Sequence, residues 1–208
     1  MVRISGGLAR GRLLHVPTET GLRPTMGRVR ESLFSLLARH THGATVLDLF
    51  AGCGLLGLEA LSRGAQTAFF VDLERKAVQS IEKNVTLCGV QSRSTVLQGD
   101  LLHSRTLERV KQWVNQDPGG GRLFDLVFLD PPYRKGLVAG TLHRLEQTNL
   151  LAPGAVIVVE QEATAEPDPS VAWPLLHNRR YGETRVILWQ TAAQTASAQA
   201  RPTPAGPP

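Results

Sequence analysis

The chain has 208 residues, of which 42% are hydrophobic and 20% charged, a composition typical of a soluble globular protein with one α/β domain and short extensions. It has no apolar run near the ~20 residues of a membrane helix and no apolar signal segment at its N-terminus. We therefore expect no membrane partner. Cys53 and Cys88 are too few and too far apart to indicate a disulfide framework or a zinc site, so we expect the protein in a reducing cytoplasm.

The excess positive charge lies in the first 43 residues. Seven arginines stand against two acids there, which leaves +5 and equals the net charge of the whole chain. A basic segment beside an electrically balanced remainder indicates a polyanionic partner such as nucleic acid. We divide the chain into a basic extension (1–43), a main domain (44–190) and an Ala/Thr/Gln/Pro-rich tail (191–208) that we expect to be disordered.

The basic extension predicts two short strands and a helix. The run RISGGLARGRLLHVP (residues 3–17) is typical of a hairpin around Gly-Gly and Arg-Gly-Arg, with Leu13, Leu14 and Val16 on its apolar side. Thr25 is a favourable N-cap for the helix. The apolar residues that recur at helical spacing after it are Val29, Leu33, Phe34, Leu36 and Leu37.

The arginines of the extension have two interpretations. They form either a solvated face or contacts to the phosphates of a nucleic acid. The candidates for phosphate contact are Arg3, Arg10, Arg12, Arg23, Arg28 and Arg30.

The stretch VLDLFAGCGLLG (residues 46–57) predicts a buried strand, a tight glycine turn and a helix. Glycine suits the turn because it adopts positive φ and lets a ligand lie against the backbone. The spacing of Gly52, Gly54 and Gly57 matches dinucleotide sites, in which a helix N-terminus faces a pyrophosphate. Asp48 argues against that ligand, because its carboxylate would repel a pyrophosphate and favour a cation.

The pattern D-x-F-x-G-x-G, formed by Asp48, Phe50, Gly52 and Gly54, resembles motif I of the class I S-adenosylmethionine methyltransferases. Their ligand carries a sulfonium and an ammonium group and no phosphate. The resemblance implies that these four residues bind S-adenosylmethionine. An ordinary strand-to-helix turn of another α/β protein is the other interpretation.

Two further acids follow predicted strands. Residues 67–71 (TAFFV) predict a strand ending at Asp72, near the ~20-residue step after Asp48 at which nucleotide-binding α/β folds hold ribose hydroxyls. Capping of the next helix is the other interpretation of Asp72. Residues 94–98 (STVLQ) predict a third strand followed by Asp100, which the resemblance implies binds the adenine amine, although Gly-Asp is also a common turn.

Residues 123–129 (LFDLVFL) predict a fourth strand, with Asp130-Pro131-Pro132-Tyr133 at its end. Open α/β sheets bind ligands beyond the carboxyl ends of their strands, so we expect this motif beside the glycine turn. Hydrogen bonds from an exocyclic amine to the Asp130 carboxylate and the Pro131 carbonyl would point the nitrogen lone pair at a methyl group. The prolines stiffen the loop, and Tyr133 would stack on an extruded base. A turn with a packed tyrosine is the other interpretation.

The remaining strands complete the predicted sheet. Residues 155–160 (AVIVVE) follow a predicted turn at Pro153-Gly154, and residues 175–180 and 184–190 predict an antiparallel pair. We expect a three-layer, Rossmann-like α/β fold whose seven-stranded sheet is mostly parallel with one antiparallel strand, plus the small N-terminal hairpin and helix. The six histidines lack metal-ligand spacing, so we expect no metal.

The runs RISGGLARGR, RPT, RVRESLFSLL, LDLFAGCGLLGLEALSRGA and DPPY together resemble the RsmD-type family of bacterial 16S ribosomal RNA (guanine-N2)-methyltransferases, from about residue 3 to residue 190. The N-terminal series distinguishes this family, since motif I and DPPY occur in many methyltransferases. The resemblance implies methylation of guanine 966 of 16S rRNA, in a small-subunit assembly particle, with catalytic Asp130, Pro131 and Tyr133. We expect a monomer.

Three other functions share features with this one. A DNA adenine or cytosine amino-methyltransferase would use the same DPPY motif, and a non-catalytic RNA-binding assembly factor would keep the fold. The presence of Asp48, Asp72, Asp130 and Tyr133 argues against the assembly factor. Asp48 and DPPY also disfavour an NAD-dependent dehydrogenase.

Overall fold

The structure is a computed structural model that describes residues 2–17, 26–116, 122–132 and 136–193, with Met26 and Arg28 described by their backbone alone. Arg23, the predicted N-cap Thr25, Tyr133 and the tail beyond residue 193 lie outside the described residues. No helix in the described ranges combines the length and the apolar character needed to cross a membrane.

Short strands and helices alternate through the described ranges. The strands are β1 (Val2–Arg3), β2 (Leu13–Leu14), β3 (Thr45–Leu49), β4 (Thr67–Asp72), β5 (Ser94–Gln98), β6 (Phe124–Leu129), β7 (Leu151–Glu162), β8 (Leu175–Tyr181) and β9 (Thr184–Gln190). The helices are α1 (Met26–Leu36), α2 (Ala38–Thr41), α3 (Leu55–Ser62), α4 (Arg75–Cys88), α5 (Ser104–Asn115) and α6 (Leu137–Glu146).

The main sheet has seven strands in the order β5-β4-β3-β6-β7-β9-β8. Strands β3 to β7 pair in parallel, and β9 pairs antiparallel with both β7 and β8. The inner parallel strands β3, β4, β6 and β7 are mostly apolar and buried, as expected of strands that helices cover on both faces of the sheet, whereas the edge strand β5 is more polar. This topology confirms the predicted Rossmann-like fold with a single antiparallel strand.

The order of the strands creates a switch point between β3 and β6. The connection after β3 leads to β4 on one side, and the connection after β6 leads to β7 on the other. Loops that diverge in this way leave a crevice beyond the carboxyl ends of the two strands, where open α/β sheets bind ligands. The glycine turn follows β3 and Asp130 follows β6, so both border this crevice.

Alternate side chains of the central strands enter two apolar cores, one on each face of the sheet. Val46, Phe70 and Phe128 pack in the core under α1, α3 and α4. Leu47 and Val127 pack in the other core, under α5 and α6. The period-two alternation of a strand therefore decides which helix layer each side chain meets.

The basic extension packs against α3 and α4 through β1, β2 and the loop between them. The N–H of Ser5 donates to the Glu59 carboxylate at 2.7 Å, and the N–H of Ala9 donates to Ser62 Oγ at 2.8 Å. On the return strand the N–H of His15 donates to Asn84 Oδ1 at 2.7 Å. These bonds hold both arms of the hairpin on the helix layer.

Several sequence predictions differ from the structure. Leu13 and Leu36 are 40% and 44% exposed, since each lies on the outer side of its element next to a buried neighbour. The predicted turn at Pro153-Gly154 is wrong, because β7 begins at Leu151 and accommodates these residues by a register shift against β6. Helix α6 has no counterpart in the prediction, although Leu142 and Leu145 bury its inner face.

Candidate active site

Four acidic side chains lie on the same face of the sheet, at the carboxyl ends of four adjacent strands. Asp72 ends β4, Asp48 is next to last in β3, Asp130 follows β6, and Glu160 lies near the end of β7. Each belongs to the alternating set of residues that enters the α1, α3 and α4 core. We call this set the acidic row.

The strand register brings three members of the row to the same height. Leu49 of β3 pairs with Val71 of β4 and with Leu129 of β6, and Leu129 pairs with Val159 of β7. Val71, Leu129 and Val159 directly precede Asp72, Asp130 and Glu160 in the chain. Neighbouring strands lie about 4.8 Å apart, so Asp130 and Glu160 are one strand spacing apart, whereas Asp72 is two spacings from Asp130 because β3 lies between their strands.

The glycine turn after β3 has an unusual backbone. Phe50, Gly52 and Gly54 have φ values of 58°, 59° and 79°, all in the left-handed region. Glycine accepts this geometry readily, whereas a phenylalanine pays a strain of about 1 kcal/mol or more. The N–H of Gly52 donates to Asp72 Oδ2 at 2.7 Å, which ties the turn to the end of β4.

Gly57 allows the first turn of α3 to approach the sheet closely. A Cβ at this position would overlap the ring of Phe70 and lie 3.0 Å from Asp48 Oδ2. The N–H of Gly57 donates to that same oxygen at 2.9 Å, and Asp48 is only 2% exposed. Asp48 therefore lies beneath the start of α3 and affects the crevice through its charge.

Burial raises the pKa of every acid in the row. Desolvation is the main cause for Asp48, whose pKa is well above its usual value, and for Asp72. It raises the pKa of Asp130 to about 6 and that of Glu160 to about 8. The charges of Asp130 and Asp48 add to the shift at Glu160, and that of Arg30 opposes it. A row of crowded, partly desolvated carboxylates favours a cationic ligand.

The acidic row should make the folded protein less stable as pH rises from about 4.5 to about 8. In that window the folded state holds protons that the unfolded state has released, so the free energy of unfolding falls with increasing pH. Glu160→Gln removes one of these protons and should flatten the fall, in urea denaturation compared at several pH values. Identical slopes for the wild type and the variant would contradict this expectation.

Asp100 lies beyond the end of β5, beside the strand that carries Asp72. Its Oδ1 accepts from the N–H of Leu102 at 2.8 Å, and its Oδ2 lies 3.6 Å from His103 Nε2. The N–H of Gly99 donates to the Asp72 carbonyl at 2.9 Å and links the two strand ends. The structure thus brings Asp100 to the same edge as the row, and its contact with adenine stays a prediction.

The described part of the DPPY motif forms one wall of the crevice. Asp130 is half-buried, Pro131 is buried and Pro132 is exposed. Within the described residues, neither the Asp130 carboxylate nor that of Glu160 has a hydrogen-bond partner. No described donor therefore competes with a ligand for these two carboxylates. The role of Tyr133 stays a prediction.

The sequence analysis does not identify Glu160 as a site residue, because it is only the last residue of the predicted strand AVIVVE. A signal was present, since Asp72 and Asp130 also follow apolar runs of this kind directly. All three acids lie on the same face of the sheet, and the sequence of a single strand does not show that arrangement. No group of three or more His, Cys, Asp and Glu in the part of the chain that the structure describes has the arrangement of a metal site.

The prediction that Arg30 lies on an exposed helix face is wrong. Arg30 is 7% exposed, its Nε lies 3.4 Å from Glu59 Oε2, and its Nη2 donates to the Arg3 carbonyl at 2.6 Å. The helix turns this position toward α3, where the buried carboxylate of Glu59 attracts it. We therefore remove Arg30 from the candidate phosphate contacts.

Arg3, Arg10 and Arg12 are exposed on the hairpin. Arg3 donates to the Gly11 carbonyl at 3.0 Å, and Arg12 donates to the Leu87 carbonyl at 2.8 Å. Arg10 and Arg12 lie on the loop between β1 and β2, which contacts the last turns of α3 and α4, whereas the acidic row lies near the first turns. These helices have 8 and 14 residues, so the loop and the row are separated by roughly 12–20 Å. The structure does not bring Arg10 and Arg12 to the crevice.

The strand order, the single antiparallel strand and the glycine turn beside Asp130-Pro131 define a class I, Rossmann-like methyltransferase. A family model described as "Conserved hypothetical protein 95" matches residues 2–190. The chain therefore belongs to this family.

Named relatives make the assignment more specific. The chain is 39% identical over 198 residues to ribosomal RNA small subunit methyltransferase D of Escherichia coli strain K12, an alignment covering 94% of this chain and 93% of that protein. It is 38% identical over 189 residues to the Haemophilus influenzae protein of the same name, covering 91% and 93%. These matches confirm the predicted RsmD-type family, and the chain is a methyltransferase.

A solved structure agrees with these relatives. The structure described as putative methyltransferase yhhF from Escherichia coli is 37% identical and matches with a TM-score of 0.74, covering 93% of this chain and 99% of that one.

Proposed function

We propose that the protein transfers a methyl group from S-adenosylmethionine to the N2 amine of a guanine in 16S rRNA, at position 966 as the family resemblance implies. The observation that carries this proposal is the register of β3, β6 and β7. This register puts the glycine turn, Asp130 and Glu160 side by side at the carboxyl edge of the sheet. Relatives named as small-subunit rRNA methyltransferases support the choice of RNA.

The glycine turn and the acidic row fit S-adenosylmethionine. Phe50, Gly52 and Gly54 form the turn against which the cosubstrate lies. Burial raises the pKa values of the row, and a neighbouring sulfonium would favour the ionised carboxylates. Each Asp72 oxygen accepts one backbone N–H and keeps a second lone pair for a ribose hydroxyl. Asp100 lies on the adenine side of the same edge. When bound, S-adenosylmethionine supplies the methyl group on a good leaving group.

Asp130 and Pro131 then prepare the nucleophile. The Asp130 carboxylate and the Pro131 carbonyl accept the two N–H bonds of the guanine amine and turn its lone pair toward the methyl group. As the N2–carbon bond forms and the sulfur–carbon bond breaks, N2 must lose a proton. Asp130 is placed to accept it, and its pKa of about 6 makes it a better base than an ordinary aspartate. Tyr133 stacks on the base in this proposal.

The RNA partner is a segment of 16S rRNA in a small-subunit assembly particle, and the protein acts as a monomer on it. Exposed Arg3, Arg10 and Arg12 contact its phosphates, together with Arg23 and Arg28. The loop that carries Arg10 and Arg12 lies at a distance from the crevice. An rRNA domain is large enough to reach the hairpin and the crevice at once. The arginines therefore position the particle, and the crevice selects the base.

Replacing Arg10 and Arg12 together by Ala should weaken RNA binding and lower the slope of log K against log salt by about 2, since two phosphate contacts are lost. Binding of 16S rRNA particles is measured at several salt concentrations. Lys111→Ala, an exposed cation on α5 across the sheet, is the control and should leave the slope unchanged. An unaltered slope in the double variant would remove the support for phosphate contact.

The function is tested by mass spectrometry of rRNA and DNA from a strain that lacks this protein. N2-methylguanine should disappear from 16S rRNA and should return with the wild-type chain and not with Asp130→Ala. Unchanged N2-methylguanine would contradict the proposal. Loss of a methylated adenine or cytosine from DNA would support the DNA amino-methyltransferase instead.

A further inference from the structure

Glu160 lies beside Asp130 at the active-site edge and belongs to no motif that the proposed mechanism uses. The pairing of Leu129 with Val159 makes Asp130 and Glu160 the next residues on two adjacent parallel strands. Both enter the face of the sheet that carries the acidic row. Their side chains therefore project in the same direction, about one strand spacing apart.

The described part of the chain does not use the carboxylate of Glu160. Arg30 is the cation whose charge acts on it, but Arg30 is engaged by the Glu59 carboxylate at 3.4 Å and by the Arg3 carbonyl. Within the residues that the structure describes, no donor bonds to Glu160. An acid left without a donor in a desolvated position is costly unless a ligand supplies one.

The edge of guanine supplies a matching pair of donors. Its N2 amine and its N1–H point the same way, whereas adenine carries an acceptor at N1. With the amine held by Asp130, the neighbouring N1–H faces the adjacent strand, β7, which carries Glu160.

We propose that Glu160 accepts a hydrogen bond from the N1–H of the target guanine and so selects guanine over purines that lack this proton. The inference rests on the proposed function and names the group that reads the base. Accepting N1–H stabilises the ionised form of Glu160, whereas the empty site, with Asp130 and Asp48 nearby, raises its pKa to about 8. A purine with a lone pair at N1 would face the carboxylate oxygens and be rejected.

The test compares guanine with 2-aminopurine, which keeps the 2-amine and lacks the N1 proton. Small-subunit particles are assembled with either base at the target position, and kcat/KM for methyl transfer is measured with the full-length protein. Above about pH 8, where Glu160 is ionised, the wild type should prefer guanine by about 100-fold or more, because a site built around a hydrogen bond strongly rejects a substrate that lacks it. Glu160→Gln should reduce the preference by at least about tenfold, since the amide can accept from N1–H or donate to N1.

Two controls separate this role from a structural one. Glu108→Gln, an exposed acid on α5, should keep the wild-type preference. In the wild type, lowering the pH through about 8 should narrow the preference for guanine over 2-aminopurine, because a protonated Glu160 can donate to N1 of 2-aminopurine. Protonation of Asp130 at low pH slows both substrates and leaves their ratio unchanged. This second measurement does not depend on the folding of any variant.

The outcomes are distinct. Guanine methylated at N2 with the same preference in the wild type and Glu160→Gln, at every pH, would overturn the role of Glu160 and leave the proposed function standing. Absence of transfer to guanine N2 by the wild type would overturn the proposed function and this inference together.

Discussion

Asp130→Ala should abolish methyl transfer, with kcat reduced about 10³-fold or more, while the Kd for S-adenosylmethionine changes less than about threefold. The proposed mechanism relies on orienting a weak nucleophile and accepting its proton, and general base and positioning effects of this kind contribute 10²–10⁴-fold or more. Because the cosubstrate lies on the glycine turn, loss of the carboxylate leaves most of its contacts in place. Single-turnover rates and isothermal titration measure the two quantities.

The matched control for this variant is Asp125→Asn. Asp125 lies at the opposite end of β6, where its Oδ2 accepts from the N–H of Thr45 at 2.8 Å. It is exposed and far from the strand edge that carries Asp130, so the rate should stay within about twofold of the wild type. Turnover by Asp130→Ala at the control's rate would refute the role assigned to this residue.

Glu59→Ala should lower the free energy of unfolding by about 3–5 kcal/mol, because it leaves buried cationic groups without a counter-charge. Glu59 is fully buried and accepts from the Ser5 N–H and Oγ, both at 2.7 Å, and from Arg63 Nε at 2.8 Å. It also pairs with Arg30, which is itself buried. A domain of this size has a total stability of about 5–15 kcal/mol, so the variant should be close to unfolding.

Urea denaturation measures this effect, and Glu108→Ala supplies the comparison. Glu108 is an exposed helical acid, so its removal should change stability by no more than about 0.5 kcal/mol. A loss below about 1 kcal/mol in Glu59→Ala would show that water or rearranged side chains replace the carboxylate. The expected loss also implies that α3 holds the basic hairpin on the fold, since Ser5 belongs to that hairpin.

The buried ion pair explains why the predicted exposure of Arg30 was wrong. Local pattern places Arg30 on a helix beside other arginines, and such charges are usually solvated. Only the approach of α3, whose Glu59 lies 29 positions later in the chain, supplies the partner that makes burial favourable. The helical period predicts which residues share a face, but it does not predict which element will cover that face.

The sequence by itself determined the class of fold and the positions of its motifs, because apolar runs, glycine turns and helical periods are local properties of the chain. It located the glycine turn after β3 and Asp130 after β6 within a residue of their observed places. The tertiary structure alone decided that Glu160 lies beside Asp130 and that Arg30 is buried. It also decided that the loop carrying Arg10 and Arg12 lies away from the crevice. Such contacts join residues far apart in the chain, and strand register and helix packing set them only when the whole sheet assembles.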